Sequence, residues 1–121
     1  MYAWQKAAEE FARIAPGKDF AALVGHCVAQ GAYVWSTPTE FILAMPVSIR
    51  DGQPVHDDAG DTWYVHLAAL LNGTKGPNRF LELAPFRLPW VAWNRHGGPL
   101  KRYRWARVAR LSERNHHGCI R

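Results

Sequence analysis

Hydrophobic and polar positions change rhythm several times along the chain. From residue 2 to 14 (YAWQKAAEEFARI), Trp4, Ala7, Ala8, Phe11 and Ile14 recur at spacings of three and four. That period predicts an amphipathic helix with those residues on its apolar face. Pro16-Gly17 stops it. Asp19 then offers an N-cap for a second helix over 20–30 (FAALVGHCVAQ), ended by Gly31. From residue 32 the pattern turns to aromatic and branched residues. AYVWS (32–36) and EFILAMPVSI (40–49), separated by Thr37-Pro38, predict two strands of a hairpin. Pro46 lacks a backbone donor, so it predicts an edge or a bulge in the second strand.

Residues 50–61 (RDGQPVHDDAGD) are polar and turn-rich and predict a loop. TWYVHLAAL (62–70) predicts a third, well-buried strand. A loop NGTKGP leads to a short helix over 78–84, closed by Pro85. Residues 88–94 (LPWVAWN) predict a fourth strand with Pro89 at its start. After His96-Gly97-Gly98-Pro99, residues 101–113 (KRYRWARVARLSE) predict a helix. Trp105, Val108 and Leu111 lie on one side of it, and Arg104, Arg107, Arg110 and Arg114 on another. The remainder, 115–121, has no period and is expected to be disordered. The strand–helix–strand passage from 62 to 94 predicts a right-handed parallel crossover. The fold class is therefore α+β: a mixed, mostly antiparallel sheet with helices packed on it, in one domain over residues 1–114.

Length agrees with that organisation. The 121 residues make one domain, and a domain of this size buries roughly two-thirds of its unfolded surface. Cys27 and Cys119 are too few for a disulfide framework and read as free thiols. No apolar run approaches a membrane span, and the first residues, with Glu9 and Glu10, do not read as a secretion signal. The expected location is the cytoplasm or a virion assembled there, and not the secretory route.

Charge adds the sharpest asymmetry. Residues 87–121 hold nine basic residues against Glu113 alone, a net +8, while residues 1–86 carry −3. The chain holds six tryptophans, and three of them, Trp90, Trp93 and Trp105, fall in this basic segment. Arg95, Lys101, Arg102, Arg104, Arg107, Arg110 and Arg114, with Trp93 and its neighbours Trp90, Tyr103 and Trp105, form a basic and aromatic region. Such a region predicts an anionic or interface-forming partner: further copies of the chain, other proteins of a particle, or nucleic acid.

The order of elements resembles the GNAT fold, the Gcn5-related N-acetyltransferase superfamily. TWYVHLAAL looks like its central strand, NGTKGPNRFLELA like its phosphate-binding turn and helix, and PWVAWNRH like the strand that splays away to make the acyl-CoA cleft. KRYRWARVARL looks like the next helix. FILAMPV, TWYVHLAAL and PWVAWNRHGGPLKRYRW are similar to small GNAT-like proteins of phages and prophages. The resemblance spans residues 18–112. It implies acetyl-CoA as cofactor if Gly73, Lys75 and Gly76 cradle a phosphate. The family's Gln/Arg-x-x-Gly-x-Gly/Ala pattern is absent, and Pro77 removes a donor. The resemblance thus implies a degenerate, non-catalytic relative used in assembly, without a bound cofactor. An acetyltransferase and a nucleic-acid-binding or host-takeover protein are the alternatives.

Other candidates carry less chemistry. His56-Asp57-Asp58 lacks the four-ligand spacing of a structural metal site and reads as a solvated turn. His26 and Cys27 point about 100° apart on a helix, so they read as a structural histidine and a core thiol. Asn94-Arg95-His96 and Asn115-His116-His117 lack the carboxylates of a metal nuclease. Tyr103 falls near the family's general-acid tyrosine but reads as a packing residue. His66, expected to point away from Val65 and Leu67, is the candidate general base should there be chemistry. No catalytic residue is assigned.

Overall fold

The structure, a computed structural model, describes residues 2–71, 88–94 and 98–104. Two helices, α1 (Ala3–Ile14) and α2 (Phe20–Ala29), precede the strands β1 (Tyr33–Ser36), β2 (Glu40–Arg50), β3 (Gln53–His56), β4 (Thr62–Leu70), β5 (Trp90–Asn94) and β6 (Leu100–Arg104). The six strands form one sheet in the order β1-β2-β4-β5-β6, with β3 paired to β2 beyond β1. Every pairing is antiparallel except β4 with β5. The α+β class, the mixed sheet and the parallel β4–β5 step all agree with the sequence pattern. The expected helix at 78–84 and the expected tail at 115–121 lie outside the described residues.

β2 organises the sheet. Its residues from Glu40 to Val47 are buried, which explains why FILAMPV runs apolar without alternation: both faces of the strand are covered. One face carries Phe41, Leu43, Met45 and Val47 against Ala3, Ala7, Cys27 and Ala69. The other carries Ile42 and Ala44 against Trp63 and Val91. Phe20 of α2 links Phe11 of α1, at 6.1 Å between ring centroids, to Phe41 of β2, at 5.5 Å. The thiol of Cys27 lies in this layer, and burial raises its pKa.

Pro46 is accommodated by the gap between two partners. β1 pairs with β2 up to Ala44, and β3 takes over at Val47. A strand residue aims its N and its carbonyl to the same side. The Pro46 carbonyl accepts from the Asp57 N–H at 3.1 Å, so its missing donor also faces the gap and not β4. A bulge does occur nearby: Leu43 opposes Leu67 while Ala44 opposes Val65. His66 is the extra residue.

Four expectations are corrected. The segment 101–104 is strand β6, not the start of a helix. Leu100, Arg102 and Arg104 alternate there with Lys101 and Tyr103, and pairing with β5 from Trp90↔Arg104 to Asn94↔Leu100 outweighs the helical period of the residues beyond. The polar segment 50–61 holds a hairpin. Asp51 (φ 51°) and Gly52 (φ 75°) make a two-residue turn with positive φ at both positions, the Asp-Gly geometry that suits the strands' twist. The buried face of α1 is set by Ala3 and Ala7, while Trp4 is 45% and Ile14 70% exposed. Finally, the bulge breaks the alternation around His66. Val65 packs with the second cluster and Leu67 with the first, so they do not share a face.

Candidate functional site

The basic and aromatic region becomes a two-stranded ribbon, β5–β6, at one end of the sheet. Alternation divides its residues between two faces. Trp93 and Lys101 pair across one face, where Trp93 stacks on Tyr103 at 4.8 Å with 23° between the rings. Trp90, Arg102 and Arg104 occupy the other. Of the helical arginine stripe that the sequence predicted, only Arg104 falls among the described residues, and it lies on strand β6. Arg95, Arg107, Arg110 and Arg114, and the loop residues Gly73, Lys75 and Gly76, lie outside the described residues.

Trp90 organises its face. The Arg102 guanidinium carbon stands 4.1 Å from the Trp90 ring centroid, and that of Arg104 stands 4.7 Å away. Both distances suit cation–π attraction. Arg102 also donates to Asp61 Oδ2 at 2.8 Å, while Asp61 Oδ1 accepts from the Thr62 hydroxyl at 2.8 Å. The Asp61 carboxyl is held below its usual pKa, first by the Thr62 hydrogen bond and also by the Arg102 charge. Asp61 further accepts the Trp90 N–H on its backbone carbonyl at 3.1 Å. One residue at the head of β4 therefore fixes both the strand that carries the indole and the arginine that lies on it. Arg104 shares the indole but makes no ion pair among the described residues. Its planar fork has the geometry to meet a carboxylate or a phosphate bidentately. Sequence reasoning found the arginines and Trp90 but missed Asp61. Nothing in its local sequence says that a partner 41 positions away will reach it.

A second feature lies where the parallel strands part. β4 and β5 pair only from Thr62↔Trp90 to Tyr64↔Ala92, although β4 continues to Leu70. At the divergence the Tyr64 hydroxyl donates to Asn94 Oδ1 at 2.6 Å, and Asn94 Nδ2 donates to the Gly98 carbonyl at 2.9 Å. The His66 ring sits edge-on to Tyr64, 5.0 Å between centroids. Partial desolvation raises the Tyr64 pKa and lowers that of His66, although His66 keeps part of its ring in solvent. A neutral imidazole on β4, just past its last pair with β5, could accept a proton.

The remaining candidates are structural. His56 Nε2 lies 2.9 Å from Asp58 Oδ1, and among the described residues no three His, Cys, Asp or Glu side chains are grouped to hold a metal ion. His26 is exposed on α2, where a buried or half-buried structural histidine was expected, while Cys27 faces the core. The described helices include none long and apolar enough to cross a membrane. Compared with protein-family models, curated proteins and solved structures, the chain matches none of them.

Proposed function

We propose that this chain is a non-enzymatic assembly protein of phage or prophage type, on a degenerate acetyltransferase-like scaffold, and that the β5–β6 ribbon is its contact surface. The observation that carries this reading is the stacking of Arg102 and Arg104 on one indole, with Asp61 bracing Arg102. Arginines held over the ring in this way lose less side-chain freedom on binding than solvated ones, so the face is prepared for a partner. Arginine and aromatic residues are the types enriched at protein interfaces. The partner this chemistry fits is an acidic protein surface within the assembly. The sequence resemblance supplies the biological setting.

A second reading rests on a separate observation. The parting of β4 from β5, with the bulge at His66, supports an acyl-CoA-binding cleft of the kind the resemblance implies. The arginine fork of Arg104 also suits a phosphate backbone.

Calorimetric titration of the whole chain with polyglutamate, a short DNA duplex and acetyl-CoA, each at low and high salt, separates these readings. The assembly protein gives heat with polyglutamate, and the double variant Lys101→Glu/Arg104→Glu abolishes it. Heat with acetyl-CoA alone overturns the reading in favour of the cleft. Heat with the duplex alone, falling steeply with salt, overturns it in favour of nucleic acid.

A further inference from the structure

The described strands leave three outer edges in the sheet, and they are not equally protected. β6 carries Lys101, Arg102 and Arg104 along its length. β3 carries Pro54, which has no N–H to offer. Charges and prolines on edge strands are the devices that stop one sheet from adding to another. β1 has neither. Its residues are Tyr33, Val34, Trp35 and Ser36, and Tyr33 and Val34 are each 39% exposed.

The register says which backbone groups of β1 face outward. Thr37 donates its N–H to the Glu40 carbonyl at 2.8 Å. Hydrogen-bonded pairs alternate along an antiparallel ladder. With the register Tyr33↔Ala44 to Ser36↔Phe41, Tyr33 and Trp35 therefore bond to β2. The N–H and carbonyl groups of Val34 and Ser36 point away from it. This is a short row of donors and acceptors, set among uncharged side chains, that an extended strand would satisfy.

We propose that β1 pairs antiparallel with β1 of a second copy of this chain, about a two-fold axis at Trp35, so that the two sheets become one. In that register Val34 of each copy lies opposite Ser36 of the other. All four outward-facing residues then lie in hydrogen-bonded positions, and Trp35 meets Trp35 in the close, non-bonded position. The edge is its own complement, and no charge opposes a like charge across the seam. β6 against β6 would set Lys101, Arg102 and Arg104 against their own kind. β6 against β1 is head-to-tail and leads to an open filament, whereas the two-fold pairing closes at two copies. The axis runs normal to the sheet, which keeps both copies of α2 on the same side of it. The solvent-facing side of α2 presents Ala21, Gly25, Val28 and Ala29, residues small or apolar enough for a second helix to approach. The pairing is independent of the role proposed for the β5–β6 ribbon.

Light scattering after size exclusion over a dilution series from about 100 µM to about 1 µM, which spans a micromolar dissociation constant, tests it on the full chain. The expected mass is twice the 13.7 kDa of one chain. Ser36→Pro removes an outward donor that β2 does not use, and Val34→Lys places a charge on the seam. Each is expected to weaken the dimer by about tenfold or more while the far-UV circular dichroism stays that of the wild type. Gln53→Ala, exposed on β3 and outside both surfaces, leaves the mass unchanged. A wild type that stays monomeric, or Ser36→Pro and Val34→Lys variants that dimerise as the wild type does, overturns the proposal. Should Ser36→Pro fail to fold, Val34→Lys alone decides.

Discussion

The imidazole of His56 occupies the space that a side chain at Gly31 would need. A Cβ built on Gly31 would stand 2.3 Å from His56 Nε2 and 2.6 Å from Cε1, and Gly31 has φ +106°. The residue that ends α2 and the last residue of β3 thus come together because one of them has no side chain. Gly31→Ala is expected to lose about 2–3 kcal/mol, since both the backbone conformation and the contact are denied to alanine. Urea denaturation reads this loss. The double variant Gly31→Ala/His56→Ala should recover the part due to the contact and keep the part due to the backbone, a separation that a mutant cycle measures.

Asp61 gives a pH dependence with a definite sign. Its folded-state pKa is depressed, by the Thr62 hydroxyl first and then by Arg102. The contribution is therefore present above the unfolded value of about 3.9 and is lost as pH falls through the folded value below it. Its side chain is 53% exposed, so solvent screens the pair and the whole effect stays below about 1 kcal/mol. Asp61→Asn should be less stable than the wild type at pH 7, and the gap should narrow as pH falls below the unfolded value of about 3.9 and through the lower folded one. A series of urea midpoints across that range checks it.

His66 has the opposite chemistry but the same direction of loss. Desolvation lowers its folded-state pKa, so the unfolded chain takes up the proton first. The contribution is complete above about pH 6.5 and falls as the solution is acidified through the lower folded value. His66→Gln should flatten the change in stability between about pH 7.5 and pH 5. An NMR titration of the imidazole should place its midpoint below the ordinary histidine value of about 6.5.

The face of α1 shows what the sequence could and could not say. A period of three and four announced the helix correctly, yet Trp4 and Ile14 turn to solvent and two alanines turn inward. Large residues dominate a pattern read by hydrophobicity, while close approach of a helix to a sheet selects small ones. Ile14→Ala is expected to change stability by less than about 0.5 kcal/mol. Ala7→Leu, at a fully buried position, should cost about 1–3 kcal/mol through overpacking. Thermal denaturation reads both: Ala7 belongs to the predicted and the observed face alike, so the small loss for Ile14→Ala is what separates the two.

Much else was legible for the same local reasons. Asp19 caps α2, its Oδ1 accepting from the Ala21 N–H at 2.9 Å, and the strands of β2, β4 and β5 were written in branched and aromatic residues. β6 was missed because arginine, alanine and leucine beyond it favour helix, and only pairing with β5 makes 101–104 extended. The Asp51-Gly52 turn was in plain view but sat among other turn-forming residues. The bulge at His66 could not be read, because a period of two gives no sign of where one residue is left over. For the candidate surface, composition found the charge and the indole. The faces on which they fall, and the brace from Asp61, exist only in the paired sheet.

The claim that the β5–β6 ribbon is the contact surface is tested most directly by amide chemical-shift mapping of the full chain during titration with polyglutamate. The account predicts that the largest shifts fall on residues 90–94 and 100–104 and on the indole N–H of Trp90, and that Lys101→Glu/Arg104→Glu removes them. Shifts that ignore the ribbon, or that appear only at Tyr64, His66 and Asn94 and only with acetyl-CoA, would contradict it.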